Sequence, residues 1–141
     1  MKISEITQSD RKEPVVLKRV WDNADSYPWG PRGENQRQLE IKNKAVWWAE
    51  KHAREQMVNY DDLTSIEDSV YPDRVLQYVE HPPTHLPFVY SHNGKLILWD
   101  GTHRVSARIR SGYTSGPCMV ADLDQVLTWD GKVKDPAKFT S

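Results

Sequence analysis

The run Asp100 to Arg104, which reads Asp-Gly-Thr-His-Arg, constrains the fold of this chain more than any other stretch. The five residues before it, Lys95 to Trp99, are apolar except for the lysine, as in a buried or half-buried strand. After it, apolar residues recur at helical spacing until Gly112, which stands where a glycine commonly ends a helix. The pattern therefore predicts a strand that enters a helix beginning between Thr102 and Arg104.

Such a helix start is an anion-binding site by construction, because its first N–H groups lack partners and carry partial positive charge. Arg104 and Arg108 lie four residues apart on one helix face and would add two guanidinium groups. His103 can donate, accept or carry a proton near neutral pH. Asp100 could orient that histidine or help to hold a divalent cation. These residues together suit a phosphate group.

A purely structural interpretation of the same residues stays open at this point. Asp100 and Thr102 could merely cap the helix, since Thr102 is a good N-cap residue. The basic side chains could then be solvated or paired with nearby acids. Gly101 fits both interpretations, because a glycine allows either a sharp turn or the close approach of a ligand.

The junction resembles the signature of the ParB/sulfiredoxin superfamily, whose members carry Asp-Gly-x-His-Arg or a related Gly-x-x-Arg sequence between a strand and a helix. The match spans about Leu86 to Asp122, roughly a quarter of the chain. The resemblance implies an α/β (α+β) fold in which this helix N-terminus holds nucleotide phosphates. It also implies that Gly101 is the close-approach glycine and that His103 and Arg104 contact phosphate.

Thr102 stands where sulfiredoxins place their catalytic cysteine. A hydroxyl cannot reduce a sulfinic acid as a thiolate can, so the chain is not expected to be a sulfiredoxin. The single cysteine, Cys118, lies in an apolar run and is predicted to be a buried, unreactive thiol.

The remaining patterns predict one domain over residues 1–141, with a mixed sheet of four to five short strands and a long N-terminal helix. A hairpin over residues 87–99 follows from its Asn-Gly turn. The other predicted elements are a strand over 14–20, an aromatic loop over 21–34, helices over 35–59, 61–70 and 72–79, a strand over 118–121, a small hairpin over 126–133 and a frayed tail over 135–141.

The aromatic loop, Trp21 to Glu34, is rich in tryptophan, proline, glycine and acidic residues, which prevents a regular helix. It could be a self-packed surface loop. It could also be a lid over the junction that supplies a carboxylate to the reaction or to Mg²⁺, from Asp22, Asp25 or Glu34.

Composition limits the classes of partner. A net charge of −1 over 141 residues gives no general attraction for nucleic acid, which remains possible but is not favoured. No apolar run approaches the ~20 residues of a membrane span, and no secretory signal pattern is present, so a cytoplasmic protein without membrane contact is expected. Exposed tryptophans could bind another protein.

The leading functional prediction is binding of a nucleoside di- or triphosphate (ATP, ADP or CTP with Mg²⁺), with transfer or hydrolysis of a phosphoryl group as the candidate reaction. His103 and Asp100 are the catalytic candidates, and Asp100 is the first choice for a carboxylate on Mg²⁺. No cluster of protein metal ligands is predicted. Binding is assigned to Gly101, Thr102, His103, Arg104 and Arg108. The alternatives are a DNA-associated or nuclease-like ParB-type protein and a non-enzymatic, protein-binding adaptor such as a small phage-type accessory protein.

Overall fold

The computed structural model describes residues 11–17, 19–20 and 33–140. Its α-helices are α1 (Gln36–Lys51), α2 (Pro72–Glu80) and α3 (Thr102–Arg110). Its strands are β1 (Glu13–Pro14), β2 (Arg19–Val20), β3 (Arg54–Asn59), β4 (Leu63–Ser65), β5 (Ser69–Val70), β6 (Phe88–His92), β7 (Lys95–Asp100) and β8 (Ser115–Asp122). Within these residues no helix is long and apolar enough to cross a membrane.

Six of the strands form one mixed sheet in the order β2, β4, β7, β6, β8 and β3. The pairs β2–β4, β4–β7 and β6–β8 are parallel, whereas β6–β7 and β3–β8 are antiparallel. β1 and β5 form a separate two-stranded sheet. The mixed α+β class is thus confirmed, and the sheet has one strand more than the largest number predicted.

Helices cover both faces of the sheet, so its central strands are apolar on both sides. On β7, Ile97 belongs to the core cluster that includes α1, and its neighbour Leu98 belongs to the cluster that includes α3. Both side chains are fully buried. This arrangement explains why β7 reads as a continuous apolar run rather than as an alternating one.

The hairpin and the strand-to-helix junction are confirmed. Asn93 and Gly94 take positive φ angles of 54° and 75° between β6 and β7, as a tight primed turn requires. β7 then leads into α3. Beyond the helix Gly112 has φ +97°, the left-handed conformation expected of a glycine just past a helix end.

The helix predicted over 35–59 begins as expected but ends early. Asn35 caps α1 in a capping box with Gln38, which fixes the start. The helix stops at Lys51, and Arg54–Asn59 forms the edge strand β3 along β8. The prediction was wrong there because Met57 fits the helical stripe by spacing, whereas in β3 its side chain is 68% exposed.

The helix predicted over 61–70 is absent from this described segment, which instead forms a 3₁₀ turn, β4 and β5. Leu63, Ile66 and Val70 have helical spacing. However, Leu63–Ser65 forms a strand that pairs in parallel with β7, and the three residues of this strand are buried. Long-range pairing therefore overrides the local pattern. The next predicted helix is confirmed as α2.

Elements near both ends of the described residues also differ from the predicted ones. The tail predicted to fray contains a 3₁₀ turn at Pro136–Phe139, and Phe139 packs into the core cluster that includes α1. The strand predicted over 14–20 is reduced to β1 and β2, and the last hairpin to a single bridge between Leu127 and Val133. The aromatic loop lies outside the described residues except for its last two.

Candidate functional site

A cleft of about 710 Å³ lies where β7 ends and α3 begins. Three parts of the chain line it. These are Lys12 beside β1, then residues 66–69 with Tyr71, Arg74 and Tyr78, and finally residues 100–104. The cleft thus contains the whole Asp-Gly-Thr-His-Arg junction, so five of the predicted site residues are brought together.

The first turn of α3 opens into this cleft without a cap. Gly101 is the N-cap residue, and no side chain caps the helix. Thr102, which was predicted as the cap, is instead the first helical residue, and it is only 2% exposed. Its Oγ1 has no hydrogen-bond partner within the described part of the chain. Backbone N–H groups and a hydroxyl therefore lack partners at the same place.

Gly101 is required by the turn itself. Its φ of +109° is one that residues with side chains rarely adopt. A Cβ at this position would lie 3.0 Å from both Cα and Cβ of Pro87 and 3.2 Å from Nε of Arg104. The close approach that the glycine permits is thus to Pro87, whatever ligand the cleft accepts.

His103 is held in one tautomer by the residue that precedes α2. The backbone N–H of Tyr71 donates to Nε2 of His103 at 3.0 Å. The two rings are nearly parallel, with centroids 6.0 Å apart. Burial, and then the charges of Arg74 and Lys12, lower the pKa of His103. The imidazole is therefore neutral at pH 7, with its hydrogen on Nδ1.

The guanidinium of Arg104 is tied to the protein on both sides. One terminal nitrogen donates to the backbone oxygens of His85 and Leu86, at 3.1 and 3.2 Å. The other donates to Oδ2 of Asp100 at 2.9 Å. The Arg104 side chain is 15% exposed and that of Asp100 is 72% exposed. Arg104 thus braces the junction, and Asp100 faces solvent within an ion pair.

Arg108 is not among the residues that line the cleft. Its Nε donates to the hydroxyl of Tyr60 at 2.7 Å, and its guanidinium lies 3.9 Å from the ring centroid of Tyr113. Burial raises the pKa of Tyr60, so that hydroxyl stays protonated. Gly116 leaves room for this pair, since a Cβ there would lie 2.0 Å from the Tyr60 oxygen. Arg108 links α3 to β8.

Two cations in the cleft were not singled out from the sequence. Nζ of Lys12 lies 5.1 Å, and Cζ of Arg74 5.5 Å, from the ring centroid of Tyr71. Both act on the pKa of His103 through their charge. No sequence signal marks them, because β1–β5 pairing and the packing of α2 on α3 bring them to the junction.

The carboxylates that line the cleft are Glu67, Asp68 and Asp100. Glu34, a weaker candidate for Mg²⁺, instead pairs with the buried Lys42 of α1 and does not line the cleft. Asp22 and Asp25 lie outside the described residues. Among the residues that the structure describes, no three His, Cys, Asp or Glu side chains are grouped to hold a metal ion.

Comparisons with protein-family models, curated proteins and solved structures gave no match. The resemblance to the ParB/sulfiredoxin superfamily therefore rests on the junction sequence and stays a prediction.

Proposed function

We propose that the cleft binds the phosphate groups of a nucleoside di- or triphosphate, as the ParB/sulfiredoxin resemblance implies. The observation that carries the proposal is the uncapped first turn of α3 together with the buried, unpartnered hydroxyl of Thr102. Unpaired N–H groups at a helix N-terminus and a hydroxyl donor suit phosphate oxygens. A buried polar atom without a hydrogen-bond partner costs free energy, so a ligand that supplies the partner gains binding free energy.

Cations near the first turn of α3 support a phosphate at the same place, and Mg²⁺ would offset the three carboxylates that share the cleft. Lys12 and Arg74 supply two cations whose side chains are at the protein surface. Arg104 adds a third charge but keeps its structural hydrogen bonds. Neutral His103 offers Nδ1–H as a donor while Nε2 remains bonded to Tyr71.

Mg²⁺ fits this site as a partner of the nucleotide rather than as an ion held by protein alone. Magnesium keeps several waters and is commonly bound by one or two carboxylates plus substrate phosphates. Asp100, Glu67 and Asp68 are the carboxylates available for it. The ion would neutralise phosphate charge when bound.

Phosphoryl transfer or hydrolysis is the reaction we propose for a bound triphosphate: the oxygen of an acceptor hydroxyl or of water bonds to the γ-phosphorus, the bond to the β–γ bridging oxygen breaks, and the nucleoside diphosphate leaves while the proton of the attacking oxygen passes to the γ-phosphate. In it His103 donates a hydrogen bond from Nδ1 to the phosphoryl oxygens, where negative charge is held, and the α3 N–H groups do the same. Asp100 is the carboxylate nearest in sequence to that turn and serves to position Mg²⁺ or water. Release of inorganic phosphate from ATP or CTP is the direct measurement of this step.

Calorimetric titration with ATP, ADP and CTP, each with Mg²⁺, tests the binding proposal. We expect Thr102→Val, which keeps the shape and removes the hydroxyl, to weaken affinity by about tenfold. The variant should be no less stable than the wild type, because an unsatisfied hydroxyl is lost from the interior.

Ser106→Ala is the matched control. Ser106 also has a buried, unpartnered hydroxyl on α3, one turn further on, but it does not line the cleft. Its removal should leave nucleotide affinity unchanged. Equal affinities for Thr102→Val and the wild type would contradict the proposal, as would failure of all three nucleotides to bind.

A protein-binding adaptor is the second candidate, and two exposed tryptophans favour it. The side chains of Trp129 and Trp47 are 80% and 57% exposed, and Lys51 lies 3.5 Å from the Trp47 ring centroid. Exposed aromatic residues are common anchors in protein interfaces. Capture of a partner that Trp129→Ala abolishes and Arg74→Ala does not would support this function.

The DNA-associated alternative receives less support from the cleft. Lys12, Arg74 and Arg104 share the lining of the cleft with Glu67, Asp68 and Asp100. Affinity for a nucleic-acid backbone depends on many uncompensated cations, and here the formal charges balance.

A further inference from the structure

A narrow groove of about 160 Å³ runs along α3 beside the cleft. It lies between the end of α2, the segment 82–87 and α3. Its walls are mainly apolar and include four prolines and two tyrosines: Pro82, Pro83, Pro87, Pro117, Tyr78 and Tyr113. The two tyrosine rings are planar and aromatic, and such rings suit a planar ring of a ligand better than an extended chain.

The groove and the cleft share two wall residues, Tyr78 and Arg104. The two cavities therefore adjoin at these two side chains. The cleft is within the ~300–1,000 Å³ usual for small-molecule sites, whereas the groove is too small for a whole nucleotide. Its size suits one part of a ligand that is anchored elsewhere.

We propose that this groove receives the planar heterocyclic base of the nucleotide whose phosphates lie at the N-terminus of α3. The inference rests on the proposed function, since it needs a phosphate in the cleft. It assigns a place to the part of the ligand that the junction residues do not contact.

Arg108 gives the groove a polar group with a fixed orientation. Its Nε and one terminal nitrogen are bonded to Tyr60 and to the backbone oxygen of Ser115, and its plane lies over Tyr113. The other terminal nitrogen has no hydrogen bond within the described part of the chain. It can donate to the carbonyl oxygen or ring nitrogen on a base edge, as arginine does elsewhere. The arginine that the sequence assigned to phosphate is thus assigned to the base.

Arg104 fixes the groove relative to the cleft. The carbonyls of His85 and Leu86, both in the groove wall, accept hydrogen bonds from one end of its guanidinium. The other end binds Asp100 in the cleft. One hydrogen-bonded side chain therefore connects the groove wall with the cleft.

Titration with nucleotides and with inorganic tripolyphosphate, all with Mg²⁺, separates base binding from phosphate binding. We expect the wild type to bind at least one of ATP, GTP and CTP more tightly than tripolyphosphate. Tyr113→Ala removes a flat wall, and Ser111→Phe fills the groove from an exposed position. Each should weaken binding of that nucleotide by about fivefold or more and leave tripolyphosphate affinity unchanged.

Trp129→Ala is the matched control, because it removes an exposed aromatic ring that lines neither the cleft nor the groove. Its affinities should equal those of the wild type. If tripolyphosphate binds but the groove variants keep full nucleotide affinity, the inference is overturned and the proposed function stands. If neither tripolyphosphate nor any nucleotide binds the wild type, both are overturned.

Discussion

The backbone N–H of Tyr71, the residue before α2, donates a hydrogen bond to Nε2 of His103 and thereby fixes the tautomer of a histidine on α3. The accepting nitrogen cannot take a proton while this bond lasts, because a protonated Nε2 would become a donor facing a donor. The contact connects the charge state of the cleft with the packing of the two helices.

Acid should therefore destabilise the fold in part through His103. Its pKa is lowered in the folded state, so the unfolded chain binds the proton more readily. This contribution to the free energy of unfolding is complete above pH ~6.5 and is lost as the pH falls through the folded pKa. Urea unfolding between pH 7.5 and 5 should show a shallower pH dependence for His103→Gln than for the wild type.

His92 is the control for that experiment. Burial lowers its pKa as well, against the opposing effect of Asp124, so it destabilises the fold in acid in the same direction. The double variant His92→Gln/His103→Gln should depend on pH less than either single variant. Identical pH profiles for His103→Gln and the wild type would show that the Tyr71 contact does not disfavour protonation.

Arg104→Ala should destabilise the protein as well as change the cleft. The substitution leaves the carbonyls of His85 and Leu86 and the carboxylate of Asp100 without their donor. A loss of about 1–3 kcal/mol in the free energy of unfolding is expected. Arg104→Lys should recover only part of it, because a single ammonium cannot span both partners. Unchanged stability of Arg104→Ala in urea would refute the bracing role.

Arg74→Ala and Lys12→Ala should each weaken nucleotide or tripolyphosphate binding by about tenfold. Both residues are exposed, so unfolding curves should change little. The matched control is Arg110→Ala, which removes an exposed cation from α3 outside the cleft. If all three variants lose affinity equally, the loss comes from the change in net charge, and the prediction that Lys12 and Arg74 contact the ligand is contradicted.

Gly101→Ala should be more damaging than Gly112→Ala. Both glycines have φ near +100°, so either alanine is strained by about 1–3 kcal/mol. Only at Gly101 would the new methyl also meet Pro87, whereas nothing lies within 4 Å at Gly112. Calorimetric melting should therefore give a lower melting temperature for Gly101→Ala. Equal temperatures would mean that Pro87 moves aside freely.

Cys118 should resist thiol reagents in the native state. It is fully buried, and burial raises the pKa of its thiol to about 11. Labelling at pH 8 should proceed only at the rate at which the protein opens, and Cys118→Ala should keep nucleotide binding. Rapid labelling without unfolding would return redox chemistry to consideration.

Elements with a strong local signal were predictable. The Asn93-Gly94 turn and the glycine after α3 each satisfy a backbone requirement that few other residues meet. β3 and β4 were not predictable, because they form by pairing with β8 and β7, which are distant in the sequence. Local spacing cannot separate such strands from helices when the run is short.

The location of the candidate site was predictable from the sequence, whereas the contacts of its side chains were only partly predictable. The junction marked the cleft, since a strand, a glycine and a helix start are adjacent in sequence. The partners of each side chain were not encoded there. Arg104 donates to the backbone oxygen of His85, and Arg108 donates to the hydroxyl of Tyr60. The other cations that line the cleft are Lys12 and Arg74.

The short ladder between β1 and β5 allows the part of the cleft that contains Lys12 to unfold locally. Lys12 precedes that ladder, which pairs Glu13 with Val70 and Pro14 with Ser69 and is followed by one backbone bond from Val15 to Asp68. So small a ladder opens at a far lower free energy than the six-stranded sheet. Amides around β1 should exchange with solvent well before those of β7. Nucleotide affinity should therefore decline in mild denaturant while the core is still folded.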